Sequence, residues 1–168
     1  MNLLSLEALK SVVADWQKAG EKVVFTNGVF DILHVGHVTY LEAARNCGSK
    51  LVVGINDDAS VRRLNKGPER PINPEDARAK VIASLRCVDA AIIFGEDTPF
   101  EIISHLQPDV LVKGGDYDPN ETNQESKTYM VGSDIVRQRG GEVVVIPLVE
   151  GFSTTNIVHR MRDSHKSE

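Results

Sequence analysis

Two histidines that flank a glycine are the residues of this chain best suited to chemistry. His34 and His37 stand three positions apart around Gly36, after an apolar run at 22–25 and before a helical pattern. Residues at this spacing share one side of a helical turn, and imidazoles donate hydrogen bonds. A helix start adds unpaired N–H groups and a positive dipole end, and glycine admits an anion close to the backbone. The pattern therefore predicts a site for nucleotide phosphates.

Two other interpretations of the histidine pair exist. The pair could be half of a zinc site, but no third ligand such as cysteine stands nearby at zinc-like spacing. The histidines could also be incidental surface residues at a helix start. Phosphate binding is favoured because the strand, Gly28, Gly36 and the helix start coincide.

Length and composition restrict the class of protein. With 168 residues and a net charge of -5, we expect one domain over 1–168, a frayed tail at 163–168, and no basic surplus for nucleic acid. No apolar run is long enough for a membrane span, so no membrane partner is expected. Cys47 and Cys87 are far apart, which predicts free thiols and a cytoplasmic protein.

Strand and helix patterns alternate along the chain, which is typical of an α/β fold. Ser5 and Asn73 are predicted helix N-caps, and the polar segment 118–127 is predicted to be a mobile loop. Short apolar strands between helices predict a parallel sheet covered on both faces, with ligands beyond the carboxyl ends of its strands. The predicted helices are 6–18, 36–46, 74–85, 99–106, 132–139 and 153–162, and the predicted strands are 22–25, 51–55, 90–94, 109–112 and 142–146.

The run from Gly28 to His37, GVFDILHVGH, resembles the G-x-F-D-x-x-H-x-G-H signature of the cytidylyltransferase-like nucleotidyltransferase superfamily. Ser153-Thr154-Thr155 is similar to the element with which that superfamily's last helix meets the nucleotide phosphates. The run from Lys113 to Tyr117, KGGDY, narrows the resemblance to the bacterial D-glycero-β-D-manno-heptose 1-phosphate adenylyltransferases. Further similar segments, in order, extend the likeness over nearly the whole chain: 53–61, 70–73, 140–143 and 153–157.

The resemblance implies a Rossmann-like three-layer α/β/α fold whose five-stranded parallel sheet has the order 3-2-1-4-5. It implies that His34 and His37 are catalytic, as donors to the reacting phosphates rather than as nucleophiles. Asp31 could orient the loop or a metal-bound water, or it could simply cap the turn. The implied nucleotide-binding residues are Thr26, Asn27, Gly28, Phe30, Asp31, Gly36, Lys113, Gly115, Asp116, Ser153, Thr154 and Thr155.

Two further clusters each allow a functional and a structural interpretation. Ser153 to Thr155 could cap a helix, bind phosphate or do both. Lys113 could be a solvated lysine at a strand end or a contact to nucleotide or sugar phosphate, with Gly114 and Gly115 permitting close approach. Asp116 and Tyr117 would then bind hydroxyls or line the base pocket.

The local basic cluster Arg62, Arg63 and Lys66 could be a solvated face or an acceptor site. In the second interpretation, Arg63 and Lys66 hold the sugar phosphate while Asp57 or Asp58 accepts hydrogen bonds from sugar hydroxyls. Arg70 and Arg78 could reach the triphosphate, and Arg78 could equally be an exposed helix residue.

The activity implied by the resemblance is transfer of AMP from ATP to heptose 1-phosphate with release of pyrophosphate. Mg²⁺ is expected on the ATP phosphates, with no protein ligands assigned. A homodimer is expected, as is a separate heptose kinase that makes the substrate, with ADP-heptose going to lipopolysaccharide core or a surface glycan.

The sequence is also compatible with other functions. The same chemistry could serve another acceptor, for example glycerol 3-phosphate with CTP, and segment 118–130, longer than usual for the family, leaves the nucleotide preference open. Class I aminoacyl-tRNA synthetases share an H-x-G-H element, but no second lysine-rich loop motif is present. A catalytically silent nucleotide-binding regulator is disfavoured because both histidines, Lys113 and the Ser-Thr-Thr run occur together.

Overall fold

The computed structural model describes residues 2–64 and 67–164. Within them, five parallel strands form one sheet with the order β3-β2-β1-β4-β5, which confirms the predicted fold class and order. The strands are β1 Val23–Gly28, β2 Lys50–Asn56, β3 Ala90–Phe94, β4 Val110–Gly114 and β5 Glu142–Ile146. The helices are α1 Leu6–Lys18, α2 Val35–Arg45, α3 Asp58–Arg63, α4 Glu75–Ala83, α5 Phe100–Leu106, α6 Ser133–Gln138 and α7 Thr154–Ser164.

The three layers follow from near-continuous apolar strands whose side chains point to both faces of the sheet. Phe25 joins a core cluster on one face with apolar residues of α1, α5 and α6. Its neighbour Val24 joins the cluster on the other face with residues of α2 and α4. The central strands are consequently buried on both sides, and only their ends are available to a ligand.

Strand β1 runs three residues beyond its predicted end. It pairs with β2 from Val23 to Gly28 and with β4 at Val24 and Phe25. The chain runs from β1 to β2 and β3 on one side and then crosses over to β4 and β5 on the other side. The gap between β1 and β4 is therefore the switch point where α/β folds bind ligands. The extension carries Asn27 and Gly28 to this edge.

The helix predictions were confirmed except at particular caps. Ser5 caps α1 by accepting a hydrogen bond from the Ala8 amide. Pro74, not Asn73, is the N-cap of α4, because the Asn73 side chain donates to the Asp31 carbonyl instead. The six-residue helix α3 was not predicted. Helix α7 continues to Ser164, past the predicted frayed-tail boundary, and residues 165–168 lie outside the described part of the chain.

The segment 118–130 contains no helix or strand, in agreement with the loop prediction, but hydrogen bonds attach it to α6. The guanidinium of Arg137 donates to the carbonyls of Pro119 and Glu121, and the Tyr129 hydroxyl donates to Asp134. These contacts fold the insertion back onto the domain.

Arg78 contradicts both of its sequence interpretations. It is 2% exposed, and its guanidinium donates to the carbonyls of Asn73, Val29 and Asn56 and to the Asp58 carboxylate. A buried charge is stable only when it is paired and hydrogen-bonded, as here. Arg78 therefore fastens α4 to the ends of β1 and β2 and does not reach a ligand.

Of the helices in residues 2–64 and 67–164, none combines the length and the apolar character that crossing a bilayer requires.

Candidate active site

A cavity of about 840 Å³ opens at the carboxyl ends of β1 and β4. Its lining includes the loop after β1, the first turn of α2, the end of β4, the segment 97–99 and the segment 148–155 before and into α7. This is the edge predicted from the positions of the motifs. The cavity is large enough for a nucleotide together with part of a second substrate.

The two histidines lie side by side in this cavity. Their ring centroids are 3.8 Å apart and the rings are nearly parallel, at 19°. Phe30 meets the His37 ring edge-on with a centroid distance of 5.2 Å. His34 is the N-cap residue of α2 and His37 lies in its first turn, so the helix start presents both imidazoles on the same side.

Both imidazoles favour the neutral form. Burial and, to a smaller extent, the neighbouring His34 lower the pKa of His37 to about 4, although the backbone carbonyl of Ile32 acts in the opposite direction. Burial also lowers the pKa of His34. At neutral pH the histidines of the free protein are therefore uncharged hydrogen-bonding groups.

Gly36 is needed at this point of the helix because His34 lies against it. A Cβ at position 36 would stand 3.0 Å from His34 Nδ1 and 3.3 Å from the Cβ of Phe152. The glycine thus allows the His34 ring and the segment before α7 to approach the helix together.

Gly36→Ala should lower catalytic turnover by about tenfold or more, because a small misplacement of a catalytic group has a large kinetic effect. Stability should change little, since alanine favours the helix by up to about 1 kcal/mol. Steady-state kinetics and urea unfolding measure the two effects. Val35→Ala, at a 49% exposed position one residue away, is the matched control. Equal turnover in both variants would contradict this role of Gly36.

Asp31 is a structural residue of the site. Its side chain is fully buried and pairs with the Arg70 Nε at 2.5 Å, and it also accepts hydrogen bonds from the backbone amides of Ile72 and Asn73. The carboxylate therefore orients the loop, as one interpretation held, and ties it to the segment 70–73. A role for Asp31 as simple turn cap or as ligand of a metal-bound water does not fit these partners.

Thr26 lies beneath the cavity and does not line it. It is fully buried, and its hydroxyl is 2.6 Å from that of Tyr40, which is also within 3.4 Å of the Val112 carbonyl. The predicted nucleotide contact of Thr26 is therefore not supported by its position. Thr26 instead orients Tyr40, which does line the cavity.

Tyr40→Phe should lower the free energy of unfolding by about 1–2 kcal/mol, because the buried Thr26 hydroxyl loses its partner. Urea denaturation would measure the loss. Tyr117→Phe removes a hydroxyl from a tyrosine that is 37% exposed and should change stability by less than about 0.5 kcal/mol. Equal losses in the two variants would show that the Thr26–Tyr40 contact contributes nothing specific.

Lys113 is held at the cavity by Asn27. Its ammonium donates to the Asn27 side-chain oxygen, and both residues line the cavity. Gly114 next to it lies close to Tyr40, and a Cβ there would come within 3.0 Å of the ring. The lysine is thus a positioned cation rather than a solvated strand end. Gly115 has a positive φ of 106° and turns the chain away, and Asp116 is exposed and does not line the cavity.

The Ser153–Thr155 run lies at the cavity and also caps α7. Ser153 Oγ accepts a hydrogen bond from the Asn156 amide at 3.0 Å, and all three residues line the cavity. Both sequence interpretations are therefore compatible with the structure. The start of α7 directs the positive end of a second helix at the space occupied by the histidines.

The predicted acceptor cluster is not assembled as expected. Asp57 caps α3 through the Ser60 amide, and Asp58 pairs with the buried Arg78 at 2.7 Å. Arg63 pairs with Asp97 at 2.5 Å and donates to the Gly95 carbonyl. Of these residues only Asp97 lines the cavity. The prediction for Lys66 falls outside the described residues.

Several cavity residues were not found from the sequence. Leu148 and Phe152 are apolar side chains exposed by 62% and 51% at the cavity wall. They lie in a segment without a helix or strand pattern. The one sequence signal for them is that two large apolar residues flank Gly151 in a segment expected to be exposed. Tyr40 belongs to the apolar face of α2, so its sequence context predicts a core residue. The pairing of Arg70 with Asp31 could not be predicted, because the two residues are 39 positions apart.

The described residues contain no cluster of three or more histidine, cysteine or acidic side chains arranged to hold a metal ion. Asp31, the one carboxylate in the histidine loop, is already engaged by Arg70 and two amides.

The fold is that of a Rossmann-like α/β domain whose sheet has its switch point at the histidine cavity, and comparison with known proteins agrees with this fold. The profile of the cytidylyltransferase-like family matches residues 25–160, and the chain belongs to this family. The predicted resemblance is thereby confirmed.

Curated relatives of high identity are also present. The chain is 52% identical over 160 residues to the bifunctional protein HldE of Syntrophotalea carbinolica, covering 95% of this chain and 31% of the relative. It is 55% identical over 160 residues to HldE of Azotobacter vinelandii, covering 95% and 32%. The chain thus spans about a third of the length of the curated relatives it matches.

Solved structures agree on the fold. A lipopolysaccharide core biosynthesis protein of Thermoplasma volcanium superposes with a TM-score of 0.58 at 30% identity, covering 77% of this chain and 98% of that one. Pantoate-β-alanine ligase of Francisella tularensis superposes with a TM-score of 0.59 at 14% identity, covering 96% and 77%. The second likeness concerns the fold alone.

Proposed function

We propose that this domain transfers AMP from ATP to D-glycero-β-D-manno-heptose 1-phosphate and releases pyrophosphate. The observation that carries the proposal is the stacked pair His34 and His37 in a cavity bordered by two helix starts and by Lys113. The heptose-type sequence run from Lys113 to Tyr117 and the identity of about half to HldE proteins support the choice of acceptor.

In the proposed reaction, a phosphate oxygen of the sugar attacks the α-phosphorus of ATP and the bond to the β-phosphate oxygen breaks. The products are ADP-heptose and pyrophosphate, so atoms and charge balance without a covalent enzyme intermediate. Such transfers depend on positioning and on stabilising the charge of the phosphate oxygens.

Different residues of the protein supply the positioning and the charge stabilisation. His34 and His37 donate hydrogen bonds to the oxygens at the reacting and bridging phosphates, where negative charge builds. Lys113 and the starts of α2 and α7 supply positive potential to the triphosphate. Phe152 and Leu148 offer apolar surface to the base, and Asp31 keeps the loop in place through Arg70.

Further parts of the proposal concern partners and location. We propose that Mg²⁺ arrives on the ATP phosphates, where it shields their charge, and that the protein contributes no cluster of ligands to it. We also propose a homodimer, a heptose kinase that supplies the substrate, and a cytoplasmic location, where ATP is available.

Pyrophosphate release with a substrate panel tests the proposal. The protein is incubated with Mg²⁺ and either ATP or CTP, and each nucleotide is combined with heptose 1-phosphate or glycerol 3-phosphate. Release only with ATP and the heptose is the expected result. Release only with CTP or with glycerol 3-phosphate would overturn the assignment of nucleotide or acceptor.

A further inference from the structure

We infer that Arg70 binds the phosphate group of the acceptor substrate through the two outer nitrogens of its guanidinium, Nη1 and Nη2, while Nε stays paired with Asp31. The inference rests on the proposed function and deepens it, because it names the cation that holds the second anion of the reaction. The ligand class is a phosphate monoester, whatever sugar or alcohol carries it.

Arg70 is a buried arginine with two donor groups left open. Its side chain is 7% exposed, and its Nε donates to Asp31 Oδ2 at 2.5 Å. Among the described residues, Nη1 and Nη2 have no hydrogen-bond partner, and neither nitrogen is sealed away from solvent. Because Arg70 lines the cavity, the N–H groups of these nitrogens are available to a ligand there.

Arg78 shows how a purely structural arginine is satisfied in the same part of the fold. Its Nε, Nη1 and Nη2 donate to three backbone carbonyls and to the Asp58 carboxylate, so every nitrogen of that guanidinium has a protein partner. Arg70 uses only Nε in this way. Pairing with Asp31 alone therefore does not account for a guanidinium that keeps its two outer nitrogens at the cavity.

The Asp31 carboxylate fixes the direction of the Arg70 guanidinium before any ligand arrives. Its side chain is 0% exposed, and it also accepts hydrogen bonds from the amides of Ile72 and Asn73. A planar fork held in one orientation can bind two oxygens of a phosphate side by side, and little conformational entropy is lost on binding. Since Asp31 shares the charge of Arg70, the arginine acts through these directed hydrogen bonds more than through net charge.

Arg70 lies on the β2 side of the histidines, away from Lys113. The segment 70–73 is attached through Arg78 to backbone carbonyls at or next to the ends of β1 and β2. Lys113 belongs to β4, on the opposite side of β1 in the sheet. The two cations therefore border the histidines, which follow β1, from opposite sides, and the proposed reaction has two phosphate-bearing substrates to place.

The cavity walls differ in chemistry between these two sides. On the side of β4 and β5, the lining includes large apolar and aromatic residues, namely Tyr117, Leu148 and Phe152. On the side of β2 and β3, it includes polar residues, namely Asn56, Asp97 and Thr98. The first set suits a nucleobase and the second a substrate rich in hydroxyl groups. This division places the triphosphate near Lys113 and the acceptor phosphate at Arg70.

A phosphate monoester held by Arg70 has one oxygen left for the reaction. Nη1 and Nη2 bind two of its three terminal oxygens, and the third attacks the α-phosphorus of ATP. The new bond joins that oxygen to the α-phosphorus, the bond from the α-phosphorus to the bridging oxygen breaks, and pyrophosphate leaves with the bridging oxygen and its electron pair. The hydrogen bonds also reduce the repulsion between the acceptor phosphate and ATP, two anions that must come into contact.

Arg70→Lys tests the inference by kinetics. The lysine ammonium can still pair with Asp31, so the variant should fold, but it ends one atom short of the Nη positions and lacks the fork. The KM for heptose 1-phosphate should rise about 10- to 100-fold, the effect of losing hydrogen bonds to a charged group, and the KM for ATP should change by less than about twofold. Arg45→Lys is the matched control, because Arg45 also pairs through Nε with a carboxylate, that of Asp89 at 2.9 Å, and does not line the cavity.

Urea unfolding checks that both variants are folded. A raised KM for ATP with an unchanged KM for the sugar phosphate would overturn the inference and assign Arg70 to the triphosphate. Unchanged KM values for both substrates would show that Arg70 serves only to hold Asp31.

Nitrogen-15 NMR of the arginine-labelled wild-type protein tests the same contact without kinetics, and Arg70→Lys serves only to assign the signals. Inorganic phosphate is the probe. We expect it to shift the Arg70 guanidinium signals in a saturable way and to leave those of Arg45 unchanged. Saturation with ATP and Mg²⁺ beforehand should leave this response in place, because the two substrates bind side by side. No response of Arg70 to phosphate, or a response that ATP abolishes, would overturn the inference.

The two experiments separate this inference from the proposed function. Absence of pyrophosphate release by the wild-type protein from ATP and heptose 1-phosphate would contradict the proposed function. The response of Arg70 to inorganic phosphate does not depend on which phosphate monoester is the acceptor, so it decides the inference independently.

Discussion

Replacing His37 with alanine is expected to lower the rate of pyrophosphate release by about 100- to 1000-fold, the usual effect of removing one donor to a developing charge. His37 is the better anchored of the two imidazoles, with Phe30 against its edge and His34 stacked on its face. The ring lies at the cavity rather than in either core cluster, so the variant should remain folded.

Steady-state kinetics with ATP and heptose 1-phosphate measure this effect, and circular dichroism with urea unfolding checks the fold. His105→Ala is the control, because His105 is an exposed histidine near the end of α5. It should keep full activity. Near wild-type turnover of His37→Ala would contradict the proposed mechanism.

Asp31→Asn is expected to destabilise the fold by about 3–5 kcal/mol, because it leaves the Arg70 guanidinium buried without its counter-ion. The side chains of Asp31 and Arg70 are 0% and 7% exposed, so water can replace little of the lost interaction. The same carboxylate accepts from the Ile72 and Asn73 amides, and the substitution therefore also loosens the segment 70–73.

The exposed pair of Arg63 and Asp97 offers a matched control. Its side chains are 49% and 73% exposed although the distance is the same 2.5 Å. Asp97→Asn should therefore change the free energy of unfolding by less than about 1 kcal/mol. A double-mutant cycle with Arg70→Met would measure the coupling of the buried pair directly. Equal losses from Asp31→Asn and Asp97→Asn would refute the structural role of Asp31.

The fold could be predicted from the sequence because local patterns and topology agree. The apolar runs at 90–94 and 142–146 have the same bounds in the structure. The predicted ends of helices are wrong where tertiary contacts override the local sequence signals. Asn73 has the sequence signature of a helix N-cap, but its side-chain amide donates a hydrogen bond to the backbone carbonyl of Asp31, 42 residues earlier. Helix α3 has six residues, too few to show a helical period.

The site was predictable only where its residues are neighbours in the chain. His34, Gly36 and His37 share one helix start, so their spacing predicts their arrangement. The roles of the charged residues could not be predicted in this way, because the ion-pair partner of a charged residue can lie anywhere in the sequence. Asp58 and Arg78 satisfy each other in the interior rather than binding substrate. No local pattern distinguishes such a pair from an acceptor site.

The most direct test of nucleotidyl transfer is phosphorus-31 NMR of a mixture of the protein, Mg²⁺, ATP and heptose 1-phosphate. Attack at the α-phosphorus predicts that the sugar phosphate signal is replaced by the paired signals of a sugar diphosphate diester, in equal amount to pyrophosphate. Formation of ADP with a doubly phosphorylated sugar would instead show attack at the γ-phosphorus. That result would contradict the proposed function at its central step.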